Sequence, residues 1–318
     1  MKNLMERRAL VTGATGYIGA KLCQRLLDDG WVVSVLVRNS GRPLATSLTG
    51  RVTIAIYDGS IESVLTAIRE SKPTIVFHLA SLFIAEHHSE QVTNLIASNV
   101  LFGTQLAEAC VREEIKNFIN TGTSWQHYRS NDYDPVCLYA ATKQAFEDIL
   151  DFYTDAFPLS AVTLKLFDTY GYDDPRPKLI NLLIKTALTK DRLGISPGEQ
   201  LVDLVYIDDV ISAFTCCAKL LVDEPKKGGH ERYAISSGRL VSVRKLVKLL
   251  EKISGQSLNV ISGARPYRKR EVMVPWRSGK LPPGWLPHID LETGLRILLN
   301  STNSSLNHIL QPGDIKNN

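Results

Sequence analysis

The sequence predicts a doubly wound α/β fold: a parallel sheet with helices on both faces, and a smaller, interleaved C-terminal lobe. Three observations predict it. In the first half, short apolar runs alternate with amphipathic stretches at helical spacing. The first apolar run ends in glycines that lead straight into a helix pattern. After about Gly171 the alternation loosens, and residues 262–287 are rich in Arg, Pro and Gly.

Taken in order, residues 9–12 read as the first strand. A helix follows over 18–29, where Ile18, Leu22, Leu26 and Leu27 share one stripe. Gly30 closes it, as a glycine just past a helix end does. Residues 32–37, 52–56 and 74–79 are apolar almost throughout, so these strands are expected to be covered on both faces. Further strands are expected at 117–120 and 161–166, and long helices at 91–112 and 138–157. Pro175 to Lys178 opens another helix, and the polar tail from Ser301 is expected to fray.

Composition narrows the function classes. Of 318 residues, 44% are hydrophobic and 22% charged, a globular balance. Lys and Arg number 37 against 33 Asp and Glu, a net +4 with no basic block, which argues against nucleic acid as a partner. No apolar run approaches the ~20 residues that cross a bilayer, so no membrane partner is expected. The polar start over residues 1–8 predicts a cytoplasmic protein. The five cysteines include no Cys-x-x-Cys pair and the seven histidines no His-x-x-x-His pair, so no metal is expected.

The glycine run, Gly13-Ala14-Thr15-Gly16-Tyr17-Ile18-Gly19, lies between a strand and a helix. Glycines there allow a tight turn, and they let a pyrophosphate approach the helix N-terminus, where free N–H groups attract anions. This is the phosphate-binding turn of a Rossmann dinucleotide domain. An NAD site usually carries Asp or Glu at the end of the second strand for the ribose 2′-hydroxyl. Here the residues are Arg38, Asn39 and Ser40, then Arg42, with no acid. A guanidinium suits a 2′-phosphate, so NADP(H) is expected over NAD(H), with Arg38 as the contact. Tyr139 and Lys143 stand four apart, on one face of a helix. A phenol titrates at ~10, and a nearby ammonium is expected to lower it toward acid/base use.

With these parts in hand, the chain resembles the extended short-chain dehydrogenase/reductase family over residues 9–299. The likeness rests on the three glycines, Asp58, His78-Leu79-Ala80, Asn99, Thr123, Tyr139, Lys143 and the segment 203–209. It implies that Thr123 holds the substrate oxygen at the reacting carbon, that Tyr139 moves the proton, and that Lys143 tunes the phenol and holds the nicotinamide ribose. It implies that Asn99 supports a proton-relay water, that Asp58 approaches the adenine, and that Leu79 and Ala80 line the cofactor cleft. It also implies a homodimer paired through the helices at 91–112 and 138–157. Residues 1–170, with 201–237 returning, would form the dinucleotide domain, and 171–200 with 238–318 the substrate lobe.

Within the family, the chain is most similar to nucleotide-sugar 4-ketoreductases of the CDP-paratose and CDP-abequose synthase type. Residues 120–124, Leu138-Tyr139, residues 164–166, Tyr170-Gly171 and Arg270-Glu271 carry that likeness. A 4,6-dehydratase needs acids after the threonine to remove a proton and expel water. Here Ser124, Trp125 and Gln126 follow Thr123 instead, as expected substrate contacts. The implied reaction is NADPH-dependent reduction at C4 of a nucleotide-linked 4-keto-6-deoxy or 3,6-dideoxy hexose, for surface polysaccharide such as lipopolysaccharide. Arg176, Lys178 and Arg270 are the candidates for the substrate diphosphate. An epimerase, a dehydratase or a non-catalytic cofactor-binding homologue are the alternatives.

Overall fold

The structure, a computed structural model, describes residues 6–39, 42–129, 132–223 and 228–309, the last seven of these as backbone only. The chain forms two compact units. The first gathers residues 1–167, 210–235 and 276–286; the second gathers 168–209, 236–275 and 287–318.

The first unit is built on a seven-stranded sheet. In chain order its strands are β1 (Arg8–Thr12), β2 (Val32–Arg38), β3 (Thr53–Tyr57), β4 (Ile75–His78), β5 (Asn117–Thr123), β6 (Ser160–Leu166) and, after the second unit's β7 to β9, β10 (Gly229–Ile235). Their order in space is β10-β6-β5-β4-β1-β2-β3, and every pair is parallel. Parallel neighbours need crossover connections, and helices supply them. α1 (Tyr17–Asp28) joins β1 to β2, α2 (Ile61–Ser71) joins β3 to β4, and α5 (Leu138–Ala156) lies between β5 and β6. Leu10, Val76 and Phe118 pack from the sheet against Ile68, Leu106 and Phe146 from the helices. The strand order reverses at β1, where β2 lies on one side and β4 on the other. Ligands of open α/β sheets bind at such a switch point, beyond the carboxyl ends of the strands.

Three expectations need correction. β3 is not covered on both faces: it ends the sheet, and Ile54 is 53% exposed. The helix expected at 91–112 is three segments: α3 (Val92–Ile96), a π-helical stretch Ala97–Leu101, and α4 (Phe102–Arg112). Beyond Ser301 the backbone does not fray at once, because α9 (Leu291–Ile309) carries on through it.

The second unit holds a three-stranded sheet, β11-β9-β7, from β7 (Asp168–Tyr170), β9 (Leu201–Tyr206) and β11 (Leu240–Ser242). The expected return of 201–237 to the large sheet therefore starts later, because β9 pairs with β7 and β11. A short pair, β8 (Leu193–Gly194) with β12 (Val260–Ile261), and helices α6 (Leu179–Thr189), α8 (Val243–Ser254) and α9 complete it. α7 (Ile207–Asp223) leads from β9 back into the first unit. Asp203 is buried and accepts from the Ser236 and Ser237 hydroxyls at 2.5 and 2.6 Å. Asp209 accepts from the backbone N–H groups of His288 and Ile289. Both aspartates thus tie loops together.

Candidate active site

The glycine turn sits where β1 ends. Gly13 has φ +76°, and a Cβ there would lie 2.6 Å from the Ala80 nitrogen and 2.7 Å from the Leu79 carbonyl carbon. A Cβ on Gly19 would collide with the Gly13 carbonyl. Gly16 is extended and donates its N–H to the Gly13 carbonyl at 2.9 Å. No side chain caps α1 and no acid occupies its first turn. Tyr17 is buried there, and Thr15 and Ile18 are half-buried beside it. The buried Thr12 hydroxyl accepts from the Ala80 N–H at 3.1 Å and hydrogen-bonds His78 Nδ1 at 3.0 Å, tying the ends of β1 and β4 together. The result is a tight backbone cradle at an uncapped helix N-terminus, the environment a pyrophosphate requires.

Arg38 is exposed at the end of β2, beside Tyr57 in register, and no described carboxylate pairs with it. Arg42 is exposed as well, while Ser40 lies outside the described residues. Asp58 is exposed and accepts from the Ser60 N–H at 2.8 Å and the Ser60 hydroxyl at 2.6 Å. These bonds hold its carboxyl below its ordinary range and give it a turn-stabilising job at the start of α2.

Thr123 ends β5, its hydroxyl accepting from the Trp125 N–H at 3.3 Å. Tyr139 and Lys143 occupy successive turns of α5, and both are buried. The expected lowering of the phenol by Lys143 is not found. Burial pushes Tyr139 up to about 12, opposed by a hydrogen bond with the Ser81 side chain. The phenol is therefore protonated at neutral pH. Burial brings Lys143 down to about 8, with the negative charge of Glu147 one turn on pulling the other way. The Lys143 Nζ is buried with no hydrogen-bond partner among the described residues. Such an orphaned donor is costly unless a ligand satisfies it. Together with the glycine cradle, it fits a bound dinucleotide whose ribose hydroxyls meet the ammonium.

Asn99 falls in the π-helical stretch, a geometry frequent at functional sites. Its carboxamide is fully used by protein. The oxygen accepts from the Ser81 hydroxyl (3.1 Å) and the Leu82 N–H (2.8 Å); the nitrogen donates to the Leu82 carbonyl and the Thr142 hydroxyl, both at 3.0 Å. In place of the expected relay water, Asn99 clamps the loop after β4 to α5.

The three residues after Thr123 differ from one another. Ser124 is buried, and Trp125 is half-buried with its ring centroid 5.6 Å from that of Phe83. Gln126 is not an open substrate contact. It is buried, its oxygen accepts from the Thr123 N–H at 2.9 Å, and its amide donates to Gln144 and Glu147. It fixes Thr123. Sequence reasoning missed Ser81, Phe83 and Glu147. Only Glu147 had a sequence signal, standing four residues past Lys143.

In the second unit, the Arg176 guanidinium pairs with Asp174 through two bonds of 2.7 Å. Lys178 lies 3.6 Å from Asp168. Arg270 is half-buried, and the neighbouring Glu271 pairs with Arg268, not with Arg270. Among the described residues, no group of three or more His, Cys, Asp or Glu side chains could hold a metal ion. No described helix is long and apolar enough to cross a membrane.

A family model described as the NAD dependent epimerase/dehydratase family matches residues 9–235, from β1 through β10. The chain belongs to this family. It is thus an enzyme of the NAD(P)-dependent oxidoreductase type. Among curated relatives, CDP-abequose synthase from Salmonella typhimurium is 24% identical over 307 residues, covering 93% of this chain and 98% of that one. UDP-glucose 4-epimerase from Mycolicibacterium smegmatis is 29% identical over 261 residues, covering 75% and 80%. Among solved structures, UDP-glucose 4-epimerase from Thermotoga maritima with UDP-glucose aligns at TM-score 0.81 and 24% identity, over 94% of this chain and 99% of that one. The Thermus thermophilus UDP-glucose 4-epimerase complex with NAD aligns at 0.79 and 24%, with the same coverage. This family member therefore shares its whole fold with epimerases and its full length with a deoxysugar synthase.

Proposed function

We propose that this enzyme uses NADPH to reduce, at C4, a nucleotide-diphosphate-linked 4-keto-6-deoxy or 4-keto-3,6-dideoxy hexose. The observation that carries this reading is the set of groups around Thr123: a protonated, buried Tyr139 nearby, and Ser124, Trp125 and Gln126 in place of an acid. One proton donor suffices for reduction, whereas a dehydratase needs a second acid–base pair. The end-to-end likeness to CDP-abequose synthase supports it.

Bound at the glycine turn, the nicotinamide cofactor supplies the hydride. The Thr123 hydroxyl orients the C4 oxygen. Tyr139 gives its proton to that oxygen as negative charge develops there. Lys143 holds the nicotinamide ribose and keeps a positive charge within the buried site. Arg38 meets the adenosine 2′-phosphate. In the second unit we assign the sugar diphosphate to Lys178 and Arg270; Arg176 is committed to Asp174 and drops from that set. The enzyme acts in the cytoplasm as a homodimer and makes a deoxysugar for surface polysaccharide.

The 29% identity to a UDP-glucose 4-epimerase favours a second reading, epimerisation with retained cofactor. Deuteride supplied on NADPH separates the readings. Reduction places the label at sugar C4 with stoichiometric cofactor oxidation. Label at C6, or conversion with no net oxidation, overturns the reductase reading.

A further inference from the structure

An exposed aromatic ring stands beside the buried phenol. Phe83 is 56% exposed, yet its ring centroid is 5.0 Å from that of Tyr139 in an edge-on contact of 78°. Trp125 touches the same ring, and it follows Thr123 by two residues. Both neighbours of the reacting oxygen, the threonine and the tyrosine, are thus flanked by one aromatic wall.

The wall is held in place. Phe83 directly follows Leu82, whose N–H and carbonyl are both bonded to the Asn99 carboxamide. Asn99 also donates to the Thr142 hydroxyl, which in turn donates to the Tyr139 carbonyl at 2.7 Å. Loop and catalytic helix turn are therefore bracketed together. A large apolar side chain held half in solvent by such a bracket suits a ligand surface better than a core.

We infer that Phe83, backed by Trp125, is a specificity residue that selects sugars lacking a hydroxyl at the carbon packed against it. This rests on the reductase reading above. A phenyl ring has no donor or acceptor, so a hydroxyl pressed against it loses its water and gains no partner. A CH₂ group meets the ring with dispersion contact and loses nothing. Within the proposed substrate class C6 is a methyl in every member, so discrimination by the wall falls at C3. The 3,6-dideoxy sugar is the preferred substrate.

The test uses the full-length enzyme with NADPH and two nucleotide-linked 4-ketosugars that differ only in the C3 hydroxyl. The wild type should favour the 3-deoxy sugar by about 10–100-fold in kcat/KM. Phe83→Asn should cut that ratio by about tenfold, mostly through a lower KM for the hydroxylated sugar, with NADPH affinity unchanged. Phe83→Leu should retain the preference, because it stays apolar. Equal kcat/KM for the two sugars in the wild type, or an unaltered ratio in Phe83→Asn, overturns the inference and leaves the reductase reading standing. If NADPH binds but neither sugar is reduced, the reductase reading fails and this one falls with it.

Discussion

A phenol held near pKa 12 is a weak acid in water but an adequate one toward an alkoxide that forms within hydrogen-bond reach. Tyr139 therefore donates its proton late, when charge is already on the C4 oxygen. General acid catalysis of this kind is worth ~10²–10⁴-fold, so Tyr139→Phe should lower kcat by that order and leave NADPH binding nearly intact in a fluorescence titration. Lys143 titrates at about 8, and its charged form is the one present below that value. As pH rises through about 8 the ammonium is lost, so NADPH affinity and kcat should fall together. A flat pH profile of both quantities from 7 to 9 would count against its assigned role. The tyrosine–lysine pair was legible because four residues on a helix is a local relation. Ser81 and Phe83 were not: they meet Tyr139 across more than fifty residues of chain, through a loop whose course depends on Asn99.

Along α5, Tyr139, Lys143, Glu147 and Asp151 repeat every four residues and form a titratable stripe on one face. Glu147 is fully buried. Arg232 donates to it at 2.6 Å and Gln126 at 2.9 Å, and Lys165 pairs with it at 3.2 Å. Lys165 also donates to His127, whose ring stacks on Trp276 at 4.0 Å. Glu147 is held below its ordinary carboxylate range despite its burial, and Asp151, beside His230 and Arg232, is brought down to about 2. Depressed carboxylates lend stability above their unfolded pKa of ~4 and lose it as pH falls through the folded values. The melting temperature should therefore drop between pH 4 and 2, and Glu147→Gln should flatten that drop. At neutral pH the same substitution leaves two cations without their partner, a loss of ~3–5 kcal/mol. At the end of β2, Arg38 lacks an acidic neighbour, so NADPH should bind at least about tenfold tighter than NADH. Arg38→Ala should close that gap, and equal affinity in the wild type would overturn the cofactor assignment. The strand–helix alternation was readable because parallel pairing forces crossovers. The exposed face of β3 was not, because an apolar run looks the same at the centre and at the edge of a sheet.

At the scale of the whole molecule, the apolar residues that the large sheet does not use point to a second copy. α4 and α5 pack closely: a Cβ on Gly103 would lie 2.7 Å from the Phe146 ring, so only glycine allows that approach. With their inner faces spent on each other and on the sheet, these helices still show apolar groups to solvent. Ile96 is 44% exposed, Leu101 49% and Phe152 59%, and Phe157 stands 6.1 Å from Phe152. Val100 and Ile149, expected on the same footing, are half-buried instead, and Ile149 packs on the core. Isolated exposed apolar residues are ordinary, but several on two adjacent helical runs make a patch that a two-fold axis can bury against itself. Each large side chain fully buried there contributes ~1.5–3 kcal/mol before the cost of association. Light scattering at micromolar concentration should give a dimer mass. Phe152→Glu should shift it toward monomer, because a carboxylate would face its symmetry-related copy across a dry interface. The two-fold assembly would be refuted by a wild-type monomer at that concentration, or by a Phe152→Glu protein that remains fully dimeric, since in either case the exposed stripe is not what joins the subunits.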